Sequence, residues 1–354
     1  MTLPNKIIYI IHQPKTTTRI NIDRVSVEKF IIDADTGSDD AVALLIALRN
    51  PKIDILGITI ASGNVPMKQG VINAFSTTEL CGKKIDIYAG AEKPLTRDYI
   101  EIYSLEEFIK HVHSRDPASA SGQCVHGVDG MGDIGITPKT MDIQKKSAID
   151  YLVSSFNEQP NDITLVTLGP LTNIAQAINK DPSISSKVKH CYVMGGTSDG
   201  SGNVSAAAEY NIWVDPEAAQ TVFNSGMQIT MVGWDNSYKY AMLREEEIEK
   251  VKSINTKYAD FVVDIQKTLR ELTLETYGHD GFDLPDPITM AIAIDNSIIE
   301  ESQQLHVVVD TRDGITRGQT IVDYFDAENG EQNIRVVTKS SKEKFMELLM
   351  DSVR

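Results

Sequence analysis

The sequence predicts an α/β fold, with one open, mostly parallel sheet covered by helices on both faces. Short apolar runs of strand length alternate with segments of helical periodicity for most of the 354 residues. The runs are apolar along their whole length, which is typical of parallel strands buried on both faces. No linker rich in Pro, Ser or Gly interrupts the alternation, so we expect a single domain over residues 30–354.

The first unit contains a buried strand from Phe30, a tight turn at Gly37 and a helix with an apolar face from Ala41 onward. Each later apolar run predicts a further strand. These strands are expected at 53–60, 85–89, 163–168, 190–194, 228–233, 305–310, 320–324 and 334–337. Six helical segments are predicted after the first. One ends near residue 81, the second spans about 171–179, and the third starts at 215–216. The fourth covers much of 244–277, the fifth runs from 286 to about 295, and the sixth ends the chain.

Two segments do not fit the alternation. Residues 1–29 precede the first core strand and are expected to form an N-terminal extension of unknown role, an extra edge element or an arm. Residues 97–125 are polar around one short helical piece, the usual composition of a loop beside an active site.

The composition excludes some classes of protein. A formal net charge of -16 argues against binding to a nucleic-acid backbone or an anionic membrane surface. The apolar run at 7–11 is too short for a membrane span or an ordinary signal-peptide core. Cys81, Cys124 and Cys191 are scattered without metal-site spacing, which is typical of a reducing compartment. These observations predict a cytoplasmic protein.

The most informative segment is the acidic turn after the first strand. Asp33, Asp35, Asp39 and Asp40 fall within eight positions, at the carboxyl end of the strand and on the first turn of the next helix. Ligands of open α/β sheets bind at this end. A single acid could simply stabilise the helix N-terminus. Four neighbouring anions, however, repel one another unless a cation or a proton intervenes, so the segment predicts a metal site.

Polar residues also follow the later strands and could line the same site. Asn in a turn and Asp before a helix have ordinary structural explanations when each is taken alone. Glycines at strand ends allow a ligand to approach the backbone, but tight turns also use them. The candidates are Asn64, the turns after Leu168 and Met194, the segment from Asn203 through Glu209 to Asn211, and Asp286.

In this order the motifs resemble the nucleoside hydrolase family of the inosine–uridine type. The acidic turn is similar to the family signature Asp-x-Asp-Pro-Gly-x-Asp-Asp-Ala, with Thr36 in place of the proline. Further family-like segments are His126-Gly127-Val128-Asp129-Gly130 and the run at 316–320, and the resemblance covers roughly residues 30–350. It implies a Rossmann-like core, a homo-oligomer (dimer or tetramer), and hydrolysis of the N-glycosidic bond of ribonucleosides.

The resemblance also implies a role for each matching residue. Ca²⁺ would be bound by the carboxylates of Asp35, Asp40 and Asp286 and by the backbone carbonyl of Leu168. Asp35 would then deprotonate the Ca²⁺-bound water that attacks C1′ through an oxocarbenium-like transition state. Asp33 is expected to orient its neighbours. The residues expected to bind the nucleoside are Asp39, Asn64, Met194, Asn203, Glu209 and Asn211.

One position departs from the family pattern. Many members have a His directly before the late Asp, where it acts as general acid for the leaving base, but this chain has Pro285. Either another proton donor or stacking of an aromatic side chain on the base could compensate, and the preference for purines or pyrimidines stays open. The candidate substitutes are His126, which we favour as a catalytic residue, Trp234 and Tyr238 as base-binding residues, and His279.

Two other functions are alternatives. Residues 33–36 resemble the nucleophile strand of haloacid-dehalogenase-like phosphatases, with Asp33 as the nucleophile and Mg²⁺ as the metal, but no convincing phosphate-binding lysine accompanies them. A catalytically impaired nucleoside- or ribosyl-binding protein of the same fold is the other alternative, because Pro285 removes the usual acid.

Overall fold

A computed structural model describes residues 27–96, 125–278 and 280–354. The strands in this part of the chain are β1 (Glu28–Ala34), β2 (Ile53–Ile60), β3 (Ile87–Ala89), β4 (Ile163–Thr167), β5 (His190–Met194), β6 (Ile229–Val232), β7 (Met242–Leu243), β8 (Phe282–Asp283), β9 (Ile299–Val309), β10 (Thr320–Asp323) and β11 (Ile334–Ser340).

The helices of the same residues are α1 (Ser38–Arg49), α2 (Met67–Leu80), α3 (Ala148–Glu158), α4 (Thr172–Lys180), α5 (Tyr210–Val214), α6 (Pro216–Phe223), α7 (Trp234–Tyr240), α8 (Glu245–Lys252), α9 (Lys257–Asp264), α10 (Lys267–Tyr277), α11 (Pro285–Ile294) and α12 (Lys342–Val353). None of these helices is long and apolar enough to cross a membrane.

Nine of the strands form one sheet in the order β10-β9-β11-β6-β5-β4-β1-β2-β3. All neighbouring pairs are parallel except those of β9, which is antiparallel to both β10 and β11. The chain turns back across the sheet between β1 and β4, with β2 and β3 on one side and β4 to β6 on the other. Ligands of doubly wound sheets bind at the carboxyl ends of the strands beside such a switch point. The acidic turn follows β1 at that point.

Apolar layers cover both faces of the sheet. Phe30, Ile32 and Ala34 of β1 belong to one layer, which includes residues of α1, α2, α11 and α12. Ile31, which points to the opposite face, belongs to the other layer with residues of α3, α4 and α6. The predicted open, mostly parallel sheet with helices on both faces is therefore confirmed.

Several boundaries differ from the predictions. β1 begins at Glu28, so the last two residues of the predicted extension belong to the sheet. β9 begins at Ile299, six positions before the predicted start, because its first half is polar and partly exposed and lacks an apolar signal. The helical segment 244–277 forms three helices, with breaks at 253–256 and 265–266. Asn255 in the first break has a left-handed φ of 54°. Residues 1–26 and all but the last residue of the predicted loop at 97–125 lie outside the described residues, and the single domain over 30–354 stays a prediction.

Leu45 in α1 tests the packing below the acidic turn, because its side chain is fully buried. We expect Leu45→Ala to lower the free energy of unfolding by about 3 kcal/mol, since the truncation loses buried apolar surface and leaves a cavity. Leu274→Ala, at a residue that is 52% exposed, should change it by less than about 0.5 kcal/mol. Urea denaturation followed by circular dichroism measures both values, and similar losses in the two variants would contradict the assigned packing.

Candidate active site

The acidic turn is a sharp connection between β1 and α1. Gly37 precedes the helix, and its N–H donates to Asp40 Oδ2 at 2.8 Å, so the Asp40 carboxylate caps the helix N-terminus. Thr36 has a left-handed φ of 25°, which is uncommon for a β-branched residue, and its carbonyl accepts a hydrogen bond from Asn73 Nδ2 at 2.9 Å. Proline cannot adopt this φ, so the turn has a conformation that the family's proline would exclude.

Asp35 lies in a cradle made by two strand-end glycines and Asn64. The Asn64 N–H donates to Asp35 Oδ2 at 2.5 Å, and the Asn64 side chain lies 3.4 Å from Asp35 Oδ1 and 3.2 Å from Asp40 Oδ2. A Cβ added at Gly63 or at Gly169 would overlap with the Asp35 carboxylate. Glycine is therefore required at the ends of β2 and β4 so that Asp35 can occupy this position.

Three further carboxylates meet between α1 and α11. Asp39, Asp40 and Asp286 each offer one oxygen, and these oxygens lie within 4.8 Å of one another. We call these three residues the acidic cluster. All three are buried, and Asp39 Oδ1 and Asp40 Oδ1 have no hydrogen-bond partner within the described part of the chain. Closely spaced carboxylate oxygens with free lone pairs suit a hard cation, so the acidic cluster could hold a metal ion.

The acidic cluster only partly overlaps with the predicted ligand set. Asp40 and Asp286 were both expected as ligands, and the structure brings them together. Asp39, which was expected to bind substrate, joins them. Asp35 lies next to Asp40 but outside the group of three, and the carbonyl of Leu168 accepts a hydrogen bond from Asn211 Nδ2 at 2.7 Å. Their roles as metal ligands stay predictions.

Burial makes these carboxyl groups hold protons more tightly than usual. It raises the pKa of Asp40 to about 7, with a further contribution from the negative charge of Asp39. Burial also raises the pKa of Asp35 well above its usual range, and the charge of Asp40 adds to this effect. The pKa of Asp286 is raised in the same way by burial and by the charge of Asp39. A cation at this position would relieve the same repulsion that the protons relieve.

Asp33 supports the site from within the sheet. Its Oδ2 accepts hydrogen bonds from Thr59 Oγ1 at 2.5 Å and Asn173 Nδ2 at 2.8 Å, and burial raises its pKa to about 7. Asn173 in turn accepts from the Ala91 N–H at 2.8 Å. Asp33 therefore joins β1 to β2 and α4, and its orienting role stays a prediction. The phosphatase alternative assigns the nucleophile to this residue, whose Oδ2 is already used by Thr59 and Asn173.

Glu209 and Asn211 join the ends of β4 and β5 to α5. Glu209 precedes α5, and its carboxylate accepts from the N–H groups of Asn211 at 2.9 Å and Gly196 at 2.8 Å. Burial raises the pKa of Glu209 to about 7. Besides contacting Leu168, Asn211 Nδ2 lies 3.1 Å from Met194 Sδ. These four predicted residues therefore meet at one place beside the acidic turn.

Asn203 lies in the loop before α5. Its Oδ1 accepts from the Tyr210 N–H at 2.9 Å, and Tyr210 Oη donates to the Gly63 carbonyl at 2.9 Å. The loop is thus connected to the end of β2, beside Asp35. Asn203 is partly exposed, and its side-chain amide nitrogen stays available to a ligand within the described structure.

His126 lies against the first turn of α1. Its Nδ1 is 2.7 Å from Ser38 Oγ and 3.6 Å from Asp39 Oδ1. The Ser38 hydroxyl donates to Gln266 Oε1 at 2.8 Å, and since a hydroxyl has only one proton, Nδ1 must donate to Ser38. The Nε2 atom is then the ring nitrogen left for other partners. Burial lowers the pKa of His126, while the charge of Asp39 acts in the opposite direction.

Trp234 and Tyr238 form a pair on α7, with ring centroids 5.3 Å apart. Trp234 is partly buried against the apolar layer, whereas Tyr238 is 40% exposed. Their expected contact with a nucleobase stays a prediction. His279 lies outside the described residues.

Three polar residues near the predicted site residues were not predicted from the sequence. Ser38 contacts His126 and donates to Gln266. Ser38 and Gln266 are both fully buried, but they lie 228 positions apart, so no local pattern could connect them. Asp283 is the third, and its Oδ2 accepts a hydrogen bond from Ser237 Oγ at 3.0 Å. Its position two residues before Pro285 was the signal that could have identified it.

The fold and the site define an α/β protein with an all-oxygen acidic cluster at the switch point of a Rossmann-type sheet. The family model described as "Inosine-uridine preferring nucleoside hydrolase" matches residues 30–347, and the chain belongs to this family. The resemblance of the motifs is thereby confirmed. The protein is an enzyme of the class that acts on N-glycosyl bonds.

Named relatives cover nearly the whole chain. It is 34% identical over 297 residues to Uridine nucleosidase 1 of Arabidopsis thaliana, with 84% of this chain and 82% of the relative covered. It is 30% identical over 326 residues to Pyrimidine-specific ribonucleoside hydrolase RihA of Escherichia coli, with coverage of 92% and 97%. A solved structure described as a purine-preferring ribonucleoside hydrolase from Gardnerella vaginalis has a TM-score of 0.80 at 31% identity and coverage of 92% and 98%. The names of these relatives give different nucleobases, so similarity to them does not show which nucleobase this chain prefers.

We expect the free energy of unfolding of the metal-free protein to fall as the pH rises from about 4 to about 7. The pKa of Asp40 is raised from 3.8 to about 7, so folding binds a proton in this window, and stability is lost as that proton dissociates. Asp40→Asn removes this ionisation and should unfold at a higher urea concentration than the wild type at pH 7.5 with chelator.

The matched control is Asp54→Asn, since Asp54 is exposed on β2, and this variant should keep the wild-type dependence on pH. Urea denaturation at several pH values with chelator measures all three proteins. Wild-type stability that stays level or increases over this window would contradict the proton binding assigned to the buried carboxyl groups.

Proposed function

We propose that the chain hydrolyses the N-glycosidic bond of ribonucleosides to ribose and free nucleobase, with Ca²⁺ bound at the acidic turn. The observation that carries this proposal is the acidic cluster at the switch point, in a chain whose family match covers residues 30–347. Its neighbours are buried amide and carboxylate groups, the kind of side chain that binds sugar hydroxyls.

The proposed ligands of Ca²⁺ are the carboxylates of Asp35, Asp40 and Asp286 and the carbonyl of Leu168. Asp39, which the resemblance assigns to substrate binding, is close enough to Asp40 and Asp286 to be a further ligand of the Ca²⁺. Asp39 Oδ1 and Asp40 Oδ1, which accept no hydrogen bond from the residues that the structure describes, support this assignment. When bound, Ca²⁺ would supply the positive charge that lowers the pKa of a nearby water and attracts the ribose diol.

Asp35 is the proposed general base. Its carboxylate is fixed by the Asn64 N–H and by the close approach of Gly63 and Gly169, so its orientation is set before substrate arrives. Asp35 takes a proton from the attacking water while the water oxygen bonds to C1′ and the C1′–N bond breaks. The surrounding carboxylates stabilise the positive charge that develops on the ribosyl group.

The remaining predicted residues are proposed to orient the nucleoside. Asp39, Asn64 and Asn211 bind the ribose hydroxyls, and Met194 packs beneath the ring. Asn203 and Glu209 bind the 5′-hydroxyl, although Glu209 already accepts backbone N–H groups and has only part of its hydrogen-bonding capacity left.

On the nucleobase side, we propose contacts with His126, Trp234 and Tyr238. His126 contributes as a proton donor through Nε2 in its imidazolium form, because the Nδ1 proton is already donated to Ser38. Trp234 and Tyr238 form an aromatic surface for the planar base.

The cellular setting belongs to the same proposal. Cys81 and Cys191 are buried free thiols, which supports a reducing compartment, and we propose the cytoplasm. We also propose a homodimer or homotetramer, as the family resemblance implies.

A second candidate function is the binding of nucleosides without turnover, which Pro285 favours because it cannot protonate a leaving base. Catalysis and binding make different predictions for the removal of the general base.

We expect Ca²⁺-dependent ribose release from at least one of inosine, adenosine, guanosine, uridine and cytidine. A chelator should abolish the release, and added Ca²⁺ should restore it, because the acidic cluster needs its cation. A reducing-sugar assay on each nucleoside measures the rate and ranks the bases. Nucleoside binding without ribose release would favour the second candidate function.

We expect Asp35→Asn to lower the rate of ribose release about 10³-fold, since an amide cannot take the proton of the attacking water. Asp54→Asn, at an exposed residue outside the site, should leave the rate unchanged. Steady-state kinetics with saturating Ca²⁺ and a thermal melt of each variant separate catalysis from folding. A folded Asp35→Asn protein with wild-type turnover would exclude Asp35 as the base.

A further inference from the structure

Asp283 is a carboxyl group beside the site that the proposed mechanism does not use. It ends β8, two residues before Pro285 and three before Asp286 of the acidic cluster. Phe282 and Leu284 are fully buried in the apolar layer, whereas Asp283 and Pro285 are both partly exposed. This alternation puts Asp283 and Pro285 on the same side of the chain, opposite the core.

The side chain of Asp283 is held by two residues of α7. Asp283 Oδ2 lies 3.0 Å from Ser237 Oγ, and the Trp234 side chain is a second hydrogen-bond partner. Trp234 is one of the two aromatic residues proposed for the nucleobase. The carboxyl group therefore contacts the proposed base-binding surface, and it is close enough to the acidic cluster for the charge of Asp39 to act on it.

The Ser237 hydroxyl can satisfy both protonation states of Asp283. Ser237 Oγ lies 3.0 Å from Asp283 Oδ2 and 2.9 Å from the Trp234 carbonyl, but it has a single proton. If Asp283 is ionised, the hydroxyl donates to the carboxylate. If Asp283 is protonated, its own O–H donates to Ser237 Oγ, and the hydroxyl donates to the Trp234 carbonyl. Neither state leaves fully buried Ser237 without a partner, so Asp283 can gain and lose a proton without disrupting its surroundings.

We propose that Asp283 is a proton donor to the departing nucleobase, in the place of the histidine that Pro285 replaces. The assignment rests on the proposed nucleoside hydrolysis. As the C1′–N bond breaks, its electron pair passes to the base, and the Asp283 proton passes to a base nitrogen. Asp35 has meanwhile taken a proton from the attacking water, so one proton is gained and one is given up. Exchange with solvent restores both carboxyl groups.

The acidity of Asp283 suits this role. Although the residue is partly exposed, the protein packed around its carboxyl group desolvates that group and raises the pKa of Asp283 to about 6. The hydrogen bond from Ser237 lowers this pKa, and the charge of Asp39 raises it further. A carboxylic acid with a pKa near neutrality keeps a useful protonated fraction and is still acidic enough to donate.

The test compares a substrate that needs a proton on its leaving group with one that does not. The first is the nucleoside that the wild type cleaves fastest. The second is 4-nitrophenyl β-D-ribofuranoside, whose phenolate leaves as a stable anion. Asp283→Asn should lower kcat on the nucleoside about 100-fold and on the nitrophenyl riboside less than about threefold, because only the first reaction needs the acid.

Asp280→Asn is the matched control, since Asp280 is a partly exposed acid that pairs with Arg270 instead of facing α7. It should leave both rates unchanged. Nitrophenyl riboside turnover by Asp283→Asn also verifies that the variant is folded and keeps the ribose half of its site.

Each other outcome overturns a stated part of the account. Equal losses on both substrates, or no loss on either, would mean that Asp283 is structural or that His126 alone protonates the base. If the wild type, with Ca²⁺ present, cleaves neither substrate, the proposed hydrolysis fails, and the role of Asp283 fails with it.

Discussion

The burial of four carboxyl groups at one end of the sheet is the constraint on which the rest of the site depends. Asp35, Asp39, Asp40 and Asp286 share the carboxyl end of the sheet with almost no exposed surface. Water cannot screen their charges there, so ionisation costs free energy unless protons or a cation compensate. Burial raises the pKa of Asp35, Asp40 and Asp286, so bound protons would provide this compensation in the metal-free protein. A divalent cation would do so while leaving a carboxylate ionised and able to act as a base.

The surrounding residues hold the carboxyl groups in place despite their mutual repulsion. Asn64 donates to Asp35 and Asp40 at the same time, and the Gly37 N–H adds a second donor to Asp40. Gly63 and the glycine after β4 have no side chain because the Asp35 carboxylate occupies that space. Such an arrangement is costly for folding, and strained or repulsive groups of this kind are typical of functional sites. Stability and activity are therefore expected to oppose each other here.

The sequence predicted the main features of the fold, because strands and helices depend on local patterns. The acidic turn after β1 made Asp40 a candidate by its crowded charges, whereas Asp286 was selected through the family resemblance, since a single acid before an apolar helix is ordinarily a cap. Which carboxylates meet depends on side-chain directions that spacing cannot define, and so Asp39 joined the acidic cluster while Asp35 lies beside it. Contacts between distant segments, such as Ser38 with Gln266, leave no local signal at all. The polar first half of β9 was missed because its strand forms through pairing with β11 rather than through an apolar pattern.

Calorimetric titration with Ca²⁺ at neutral pH tests the central claim, that the buried carboxylates form one cation site. We predict one Ca²⁺ per chain and release of protons on binding, seen as an enthalpy that changes with the ionisation enthalpy of the buffer, since Asp40 has a pKa of about 7 in the metal-free protein. Asp286→Asn should weaken this binding strongly. No Ca²⁺ binding, or binding that Asp286→Asn leaves unchanged, would contradict the account.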